Sequence, residues 1–297
     1  MNKIMTLAVV NFRSIAGDSR RNLSRIIEYT ETAVTQGAKL IIFPELALTG
    51  YSSDGGLQSE LAETLPGRSV SEVAELTRKL GVYVVFGMPV RRDNVIYNSL
   101  VICGPCGIEA VYDKLHLTAG DAGWAAQGES LPPVIETPYG KVMAATGYDL
   151  LYFPEVVRYA KARGVKLLIS ASALEDKGMG AAWQKILGRH VGLNTLHIAT
   201  ANLTGKVKTR TLPGGSHILS PAEPIEQTYI AAGYTLDDPA AQIPGVHLAA
   251  IDLTADTLMP HYPYFEHNYK VGTPDWRPDV YKRMTEEILA RKSNTEK

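Results

Sequence analysis

Val142-Met143-Ala144-Ala145-Thr146-Gly147-Tyr148-Asp149-Leu150-Leu151-Tyr152-Phe153-Pro154-Glu155 joins an apolar strand, Val142 to Thr146, to a helix that runs from Glu155 to Arg163. A sharp strand-to-helix turn exposes whatever stands at its apex. The apex residue here is Gly147, which has no side chain to offer. The backbone N–H groups after it can still bind an anion at the start of the helix.

The same alternation extends in both directions. Downstream, Leu167 to Ser170 is a strand, Met179 to Asn194 a helix and His197 to Ala201 a strand. Ser216 to Leu219 and Ile225 to Tyr229 read as a hairpin, Val246 to Asp252 as the last strand, and Glu286 to Arg291 as part of a terminal helix. Upstream, Ile4 to Val10 is a buried first strand. Asp18 caps a helix that reaches Gln36, with Leu23, Ile26, Ile27, Thr30 and Val34 at helical spacing and Gly37 at its end. Leu40-Ile41-Ile42-Phe43 is the second strand, Val70 to Leu80 a helix, and Val82 to Gly87 a strand. Ile96 to Cys103 and Ile108 to Tyr112 pair across the turn Gly104-Pro105-Cys106-Gly107. Continuous apolar runs separated by helices mark strands covered by helices, which makes this an α/β chain. No linker or charge block interrupts it, so a single domain over residues 1–297 is expected.

Composition narrows the functional classes. The chain has 297 residues, 45% hydrophobic and 21% charged, which excludes disorder, collagen-like repeats and a coiled coil as whole-chain readings. Thirty Lys plus Arg against 31 Asp plus Glu leave a net charge of -1, without the basic excess of a nucleic-acid binder. No stretch approaches the ~18 apolar residues that span a bilayer. The apolar start, Met1 to Asn11, lacks a cleavage pattern and reads as a strand, so a cytoplasmic protein is expected. Cys103 and Cys106 mimic a redox motif but sit in a hairpin turn. The 7 His residues show no metal-ligand spacing, so neither a metal nor a cofactor is expected.

Two further segments bear chemistry. Phe43-Pro44-Glu45 puts a carboxylate at the carboxyl end of a buried strand, where α/β proteins gather their sites. Such a group serves as a general base if burial raises its pKa, or simply caps a loop. In Tyr112-Asp113-Lys114-Leu115-His116-Leu117, a Lys at a strand end can stabilise an oxyanion or lie on the surface. His116 reads as a packed, hydrogen-bonded histidine.

Taken together these segments resemble the carbon–nitrogen hydrolase, or nitrilase/amidase, superfamily, nearly end to end. The resemblance includes Asp18 and Asn22; Glu45, Gly50 and Tyr51; Tyr112, Lys114, His116 and Leu117; and Tyr148 to Glu155. It continues through Ala201-Asn202, Gly215-Ser216, and Arg277-Pro278 with Tyr281. The fold it implies is a four-layer α-β-β-α sandwich that forms a homodimer or a higher homo-oligomer. A C-terminal tail, residues 260–297, would pack on the partner. Tyr262, Tyr264, Phe265 and Tyr269, between Pro260 and Pro274, suit such a contact.

In that superfamily a Cys thiolate attacks a nitrile or amide carbon. A Glu acts as base, a Lys holds the oxyanion, and a second Glu assists. Carried over, Glu45 matches the base and Lys114 the oxyanion lysine, but Gly147 stands at the nucleophile's position. The second Glu is expected eight residues after the Lys, before Gly123-Trp124, and that position is Ala122. Asp121 lies one place out of register, and Glu129 is a poorer match. Tyr51, Trp124 and Tyr148 are candidate pocket walls, with Ala173 and Leu174 near them and Ser172 and Glu175 as polar contacts.

Glycine cannot form an acyl-enzyme. The expected function is therefore a pocket for an amide, nitrile or carbamoyl-like small molecule without Cys-dependent hydrolysis, Gly147 enlarging it by a thiomethyl group. Three alternatives stay open. One is a non-cysteine enzyme with Glu45 as base and Lys114 as oxyanion or Schiff-base group. The others are a Cys-to-Gly variant made to trap substrate, and a structural or regulatory subunit.

Overall fold

The computed structural model describes residues 4–52, 54–175, 177–207, 210–222, 227–254 and 277–295. Strand β1 (Ile4–Asn11) leads into helix α1 (Ser19–Thr35). Asp18 caps the helix by accepting from Arg21 N at 3.0 Å, and Leu23, Ile26, Thr30 and Ala33 form its buried stripe. Next come β2 (Leu40–Ile42), α2 (Gly55–Glu60), α3 (Arg68–Leu80), β3 (Tyr83–Arg92), β4 (Val95–Gly104) and β5 (Gly107–Asp113). The second half holds β6 (Val134–Thr137), β7 (Gly140–Thr146), α4 (Gly147–Tyr152), α5 (Pro154–Ala162), β8 (Leu167–Ser172), α6 (Gly180–Asn194) and β9 (His197–Asn202). A ribbon of β10 (Thr204–Val207) and β11 (Arg210–Pro213) precedes β12 (His217–Ala222), β13 (Gln227–Gly233) and β14 (Gly245–Asp252).

The strands form two six-stranded sheets, ordered β14-β1-β2-β3-β4-β5 and β13-β12-β9-β8-β7-β6. Each has a parallel centre, β1-β2-β3 or β7-β8-β9, flanked by antiparallel strands. Parallel neighbours need a crossover; α1 and α3 supply it in one sheet, α5 and α6 in the other.

Alternation along the strands then sorts side chains into layers. Ala8 and Val10 of β1 share a core with Leu23 and Ile26 of α1 and Val70 and Val73 of α3. Met5, Leu7 and Val9, on the opposite face, share a second core with Ala144, Ile169 and Ala199 of the other sheet. Val156 and Val157 of α5 and Trp183, Leu187 and Val191 of α6 complete that core. The order is helix, sheet, sheet, helix, which is the four-layer α/β arrangement expected.

The structure sharpens the expected boundaries. Strand β3 continues to Arg92 because the hairpin keeps pairing, down to Arg92 opposite Val95. The Gly104–Gly107 turn leaves Cys106 exposed and Cys103 buried, and burial pushes the Cys103 thiol up to about 12, far from a reactive thiolate. Residues 259–297 make up a separate unit, in which α7 (Pro278–Thr295) opens with an Arg277–Asp279 ion pair at 2.9 Å. The aromatic stretch from Pro260 to Pro274 lies outside the described residues. Among the described residues no helix is long and apolar enough to cross a membrane.

Candidate active site

Glu45 owes its position to a glycine on the neighbouring strand. The chain leaves β2 with Phe43 N donating to Val85 O at 2.7 Å, then bends through Leu46, whose φ of 53° is left-handed. The bend presses against Gly87 of β3: a Cβ there would lie 2.5 Å from Glu45 Cα and 2.7 Å from Glu45 C. Only a residue without a side chain permits this approach.

Lys114 follows β5 and is tied by its own N–H to Asn98 O at 2.9 Å. Its ammonium lies between two carboxylates, 2.7 Å from Glu45 Oε1 and 2.6 Å from Asp121 Oδ2. Asn98 Nδ2 closes the ring by donating to Glu45 Oε1 at 2.7 Å and to Asp121 Oδ1 at 3.1 Å. Glu45 Oε2 accepts from Ala173 N at 3.2 Å. The Lys114, Glu45 and Asp121 side chains are only 3%, 6% and 6% exposed.

Ala122 is exposed and carries no acid, whereas the adjacent Asp121 faces Lys114. The Thr118 N–H and hydroxyl grip Asp121 Oδ2 at 3.0 and 2.7 Å, which aims the carboxylate inward.

Burial and pairing act on these groups in opposite directions. Burial dominates at Glu45 and raises its pKa against the pull of Lys114. At Asp121, burial is outweighed by the charge and hydrogen bonds of Lys114, and the pKa falls. At Lys114, burial is likewise outweighed, here by the two carboxylates, so the ammonium is held more firmly than in water. A Schiff base needs a neutral amine, so the two carboxylates oppose that role for Lys114.

At the elbow, Asp149 is fully buried and accepts from Tyr112 OH, from Thr146 Oγ1 at 2.5 Å, from His116 N at 3.1 Å and from His116 Nδ1 at 2.7 Å. It thereby ties the Lys114 segment to the Gly147 turn. The His116 ring stacks on Phe153 with centroids 3.4 Å apart, the packed role expected of it. Gly147 opens α4 beside the end of β8. Ser172 Oγ occupies the spot where a Cβ on Gly147 would stand; Ser172 Cβ would be 2.9 Å away and Ser170 Oγ 3.5 Å. Gly147 therefore opens no extra volume, because Ser172 has filled it.

Glu45, Lys114 and Asp121 stand at the buried end of a cavity of about 320 Å³. Tyr51 and Tyr148 line it, the Tyr148 ring 5.6 Å from Lys114 Nζ, as do Ala173, Leu174 and Glu175. Trp124 is not among the lining residues: it packs against the start of α2, where a Cβ on Gly55 would touch Trp124 Cβ at 3.1 Å. Ser172 is fully buried and is also not among them. Asn98 and Arg210 belong to this region without having been singled out in the sequence. An Asn in mid-strand and an Arg on a short ribbon carry no local signal. Among the described residues no group of three or more His, Cys, Asp or Glu is arranged to hold a metal ion.

Residues 6–223 match the family model described as carbon-nitrogen hydrolase. The chain belongs to the carbon–nitrogen hydrolase family. Its similarity to family members is spread over the chain. It is 27% identical over 285 residues to a probable nitrilase of Schizosaccharomyces pombe, covering 94% of this chain and 97% of that one. It is 31% identical over 191 residues to an omega-amidase of Danio rerio, covering 61% and 68%. An amidase from Nesterenkonia sp. superposes with a TM-score of 0.70 at 21% identity, covering 86% of this chain and 95% of that one, which bears on the fold alone. In a variant of the Nesterenkonia amidase, the acetamide moiety of fluoroacetamide is attached covalently at the active-site cysteine. This carbon–nitrogen hydrolase has Gly147 at the turn between β7 and α4.

Proposed function

We propose that this member of the family binds small amide, nitrile or carbamoyl-like compounds non-covalently, without Cys-dependent hydrolysis. The observation that carries the reading is Ser172 Oγ standing in the side-chain space of Gly147. The apex has no nucleophile, and the vacated volume has been closed by a neighbour rather than left as a hole. The charged centre supports the same reading from the other side. Lys114 Nζ can donate to a carbonyl oxygen, and Glu45 Oε2, held by a single backbone N–H, can accept from an amide N–H. Glu45, Lys114, Asp121 and Asn98 contact or frame the ligand, and Tyr51 and Tyr148 wall it in. Carried over from the family resemblance, the protein is a cytoplasmic homo-oligomer, with residues 260–297 packed on a partner.

The test is calorimetric titration of the purified protein with acetamide, butyramide and an N-carbamoyl compound, alongside ammonia assays and intact-mass measurement. Saturable binding with neither ammonia nor a mass adduct is expected. A substrate fragment bonded to the chain would overturn the reading.

A second reading is favoured by one observation. Burial raises the Glu45 pKa, the direction a general base at neutral pH requires. Glu45 would then take a proton from a water that attacks the carbonyl while Lys114 holds the oxyanion, and return it to the amide nitrogen as the C–N bond breaks and ammonia leaves. Ammonia release that survives serine at both Cys103 and Cys106 but is abolished by Glu45→Gln would favour it.

A further inference from the structure

A second cavity, of about 850 Å³, forms where the chain leaving β1 meets the β10–β11 ribbon. It shares no lining residue with the cavity at Glu45. A parallel bridge between Phe12 and Leu203 brings its two sides together: Phe12 N donates to Asn202 O at 3.4 Å, and Thr204 N to Phe12 O at 2.9 Å. Arg13 follows the bridge on one side, Gly205 and Lys206 on the other. Gly205 has a φ of 111°, which favours glycine, and a Cβ there would lie 3.2 Å from Arg13 Nε. The missing side chain lets Arg13 lie close against the ribbon. Arg25 Nη1 donates to Arg13 O and pins the backbone at this point.

The lining holds two cations, Arg13 and Lys206, and one acid, Asp54. Among the described residues neither cation has a carboxylate within ion-pair distance. Asp54 is committed elsewhere: its Oδ1 accepts from Gly56 N at 3.0 Å and from Leu57 N at 3.3 Å at the start of α2. Ser52 Oγ accepts from Asp54 N at 3.0 Å, which leaves the buried hydroxyl's hydrogen able to donate. Thr204, by contrast, spends its hydroxyl hydrogen on Gln242 O at 2.8 Å. Donors therefore outnumber acceptors. Ile15, Leu57, Val207 and Leu212 supply an apolar wall beside them.

We propose that this second cavity binds a small organic phosphate, a phosphate monoester with an apolar body. At neutral pH a phosphate monoester carries a charge of about −1.5 to −2 and three strong acceptor oxygens. Two unpaired cations and a donating hydroxyl match that count. The guanidinium fork suits two of the oxygens, and the Lys206 ammonium and Ser52 hydroxyl suit the rest. A monocarboxylate would neutralise only one of the two cations. Inorganic phosphate would leave the apolar wall in contact with water. The volume lies within the ~300–1,000 Å³ range of small-molecule pockets, so it has room for an organic body on that wall.

The experiment is calorimetric titration of the intact protein at low salt with 1-naphthyl phosphate, 1-naphthol, 1-naphthoate and inorganic phosphate. The ester is expected to bind once per chain, roughly ten-fold or more tightly than any of the other three. Arg13→Gln and Lys206→Gln are each expected to weaken it by about ten-fold, whereas Arg210→Gln, in the other cavity, leaves its affinity unchanged. Arg13 and Lys206 are exposed, so both variants should keep the urea midpoint of the unaltered protein. Naphthol binding as tight as the ester overturns the anion site, and naphthoate binding as tight overturns the choice of phosphate. Inorganic phosphate binding as tight overturns the apolar subsite. No binding of the ester, or an affinity that survives both Arg13→Gln and Lys206→Gln, overturns the proposal outright. So does an affinity lost in Arg210→Gln, which would put the ester in the cavity at Glu45. None of these outcomes bears on amide binding there.

Discussion

Ser172 and Gly147 are sterically complementary: the hydroxyl of one fills the side-chain space of the other. The contact joins the end of β8 to the start of α4, the two elements that frame the elbow. Close-packed interiors register a change of even one methylene, so neither position can be altered without the other responding.

Gly147→Cys alone is therefore expected to fit poorly. It forces Ser172 aside and destabilises the fold by about 1–3 kcal/mol through overpacking. Combined with Ser172→Gly, which removes both the hydroxyl and the Cβ at 2.9 Å, the thiol gains room. Urea denaturation of both single variants and the double variant gives the coupling between the sites. Ammonia release from small amides shows whether the introduced thiol acts as a nucleophile. A single Gly147→Cys variant as stable and as active as the double variant would mean that the two residues do not compete for space.

Lys114 is the lone cation between two buried acids, and removing it leaves both unpaired. Lys114→Met is expected to cost about 3–5 kcal/mol at neutral pH, the range for breaking a buried ion pair. In the variant, Glu45 and Asp121 face each other and one takes up a proton, so the deficit should shrink as the pH falls from 8 to 5. Chemical denaturation at both values checks this. A loss of under 1 kcal/mol, unchanged with pH, would place the three groups in far wetter surroundings than their exposures indicate.

The fold was legible because its strands are uninterrupted apolar runs. Leu40 to Ile42 and Leu167 to Ser170 are buried on both faces and announce themselves, and Asp18 marks a helix start by chemistry that acts within one turn. Glu45, Lys114 and the Gly147 turn were legible through motifs with fixed local spacing. Asn98 was not, because its role depends on β4 lying beside β3 and β5, a long-range pairing that no short window contains. The part played by Asp121 was not legible, since counting along a loop cannot show which way Thr118 turns the carboxylate. The occupied space beside Gly147 was illegible for the same reason: Ser172 reaches it from another strand.

Gly87→Ala is expected to disturb the site without touching a charged group. The new methyl would lie against Glu45 Cα at 2.5 Å and press on backbone that a side-chain rotation cannot relieve. The Glu45 bend must move, with its Lys114 and Asn98 contacts. The expected outcome is a loss of about 1–3 kcal/mol in stability together with weakened ligand binding. Denaturation and titration of the same sample separate the two effects. Full ligand affinity in a destabilised variant would show that Glu45 can shift without cost to the site.

The acid side of the stability profile is expected to begin near pH 6.5. Burial, aided by the charge of Lys166, lowers the His197 pKa from 6.5 to about 4, while its Nδ1 lies 2.9 Å from Ser220 Oγ. Between those values the unfolded chain binds a proton that the folded chain refuses. Stability is therefore fully present above pH 6.5 and declines as the pH falls towards 4, by about 3 kcal/mol for this group at most. His190, His217 and His247 are lowered by burial as well and add to the same limb. Asp121 acts in a different window. Its lowered pKa contributes stability above its ordinary value of 3.8, lost only below that. His197→Gln should remove up to one proton from the slope between pH 6.5 and 4, and Asp121→Asn should flatten the profile only below 3.8. Denaturant midpoints taken every half pH unit test both. An unchanged slope in the His197 variant would mean that this imidazole is already protonated in the folded protein.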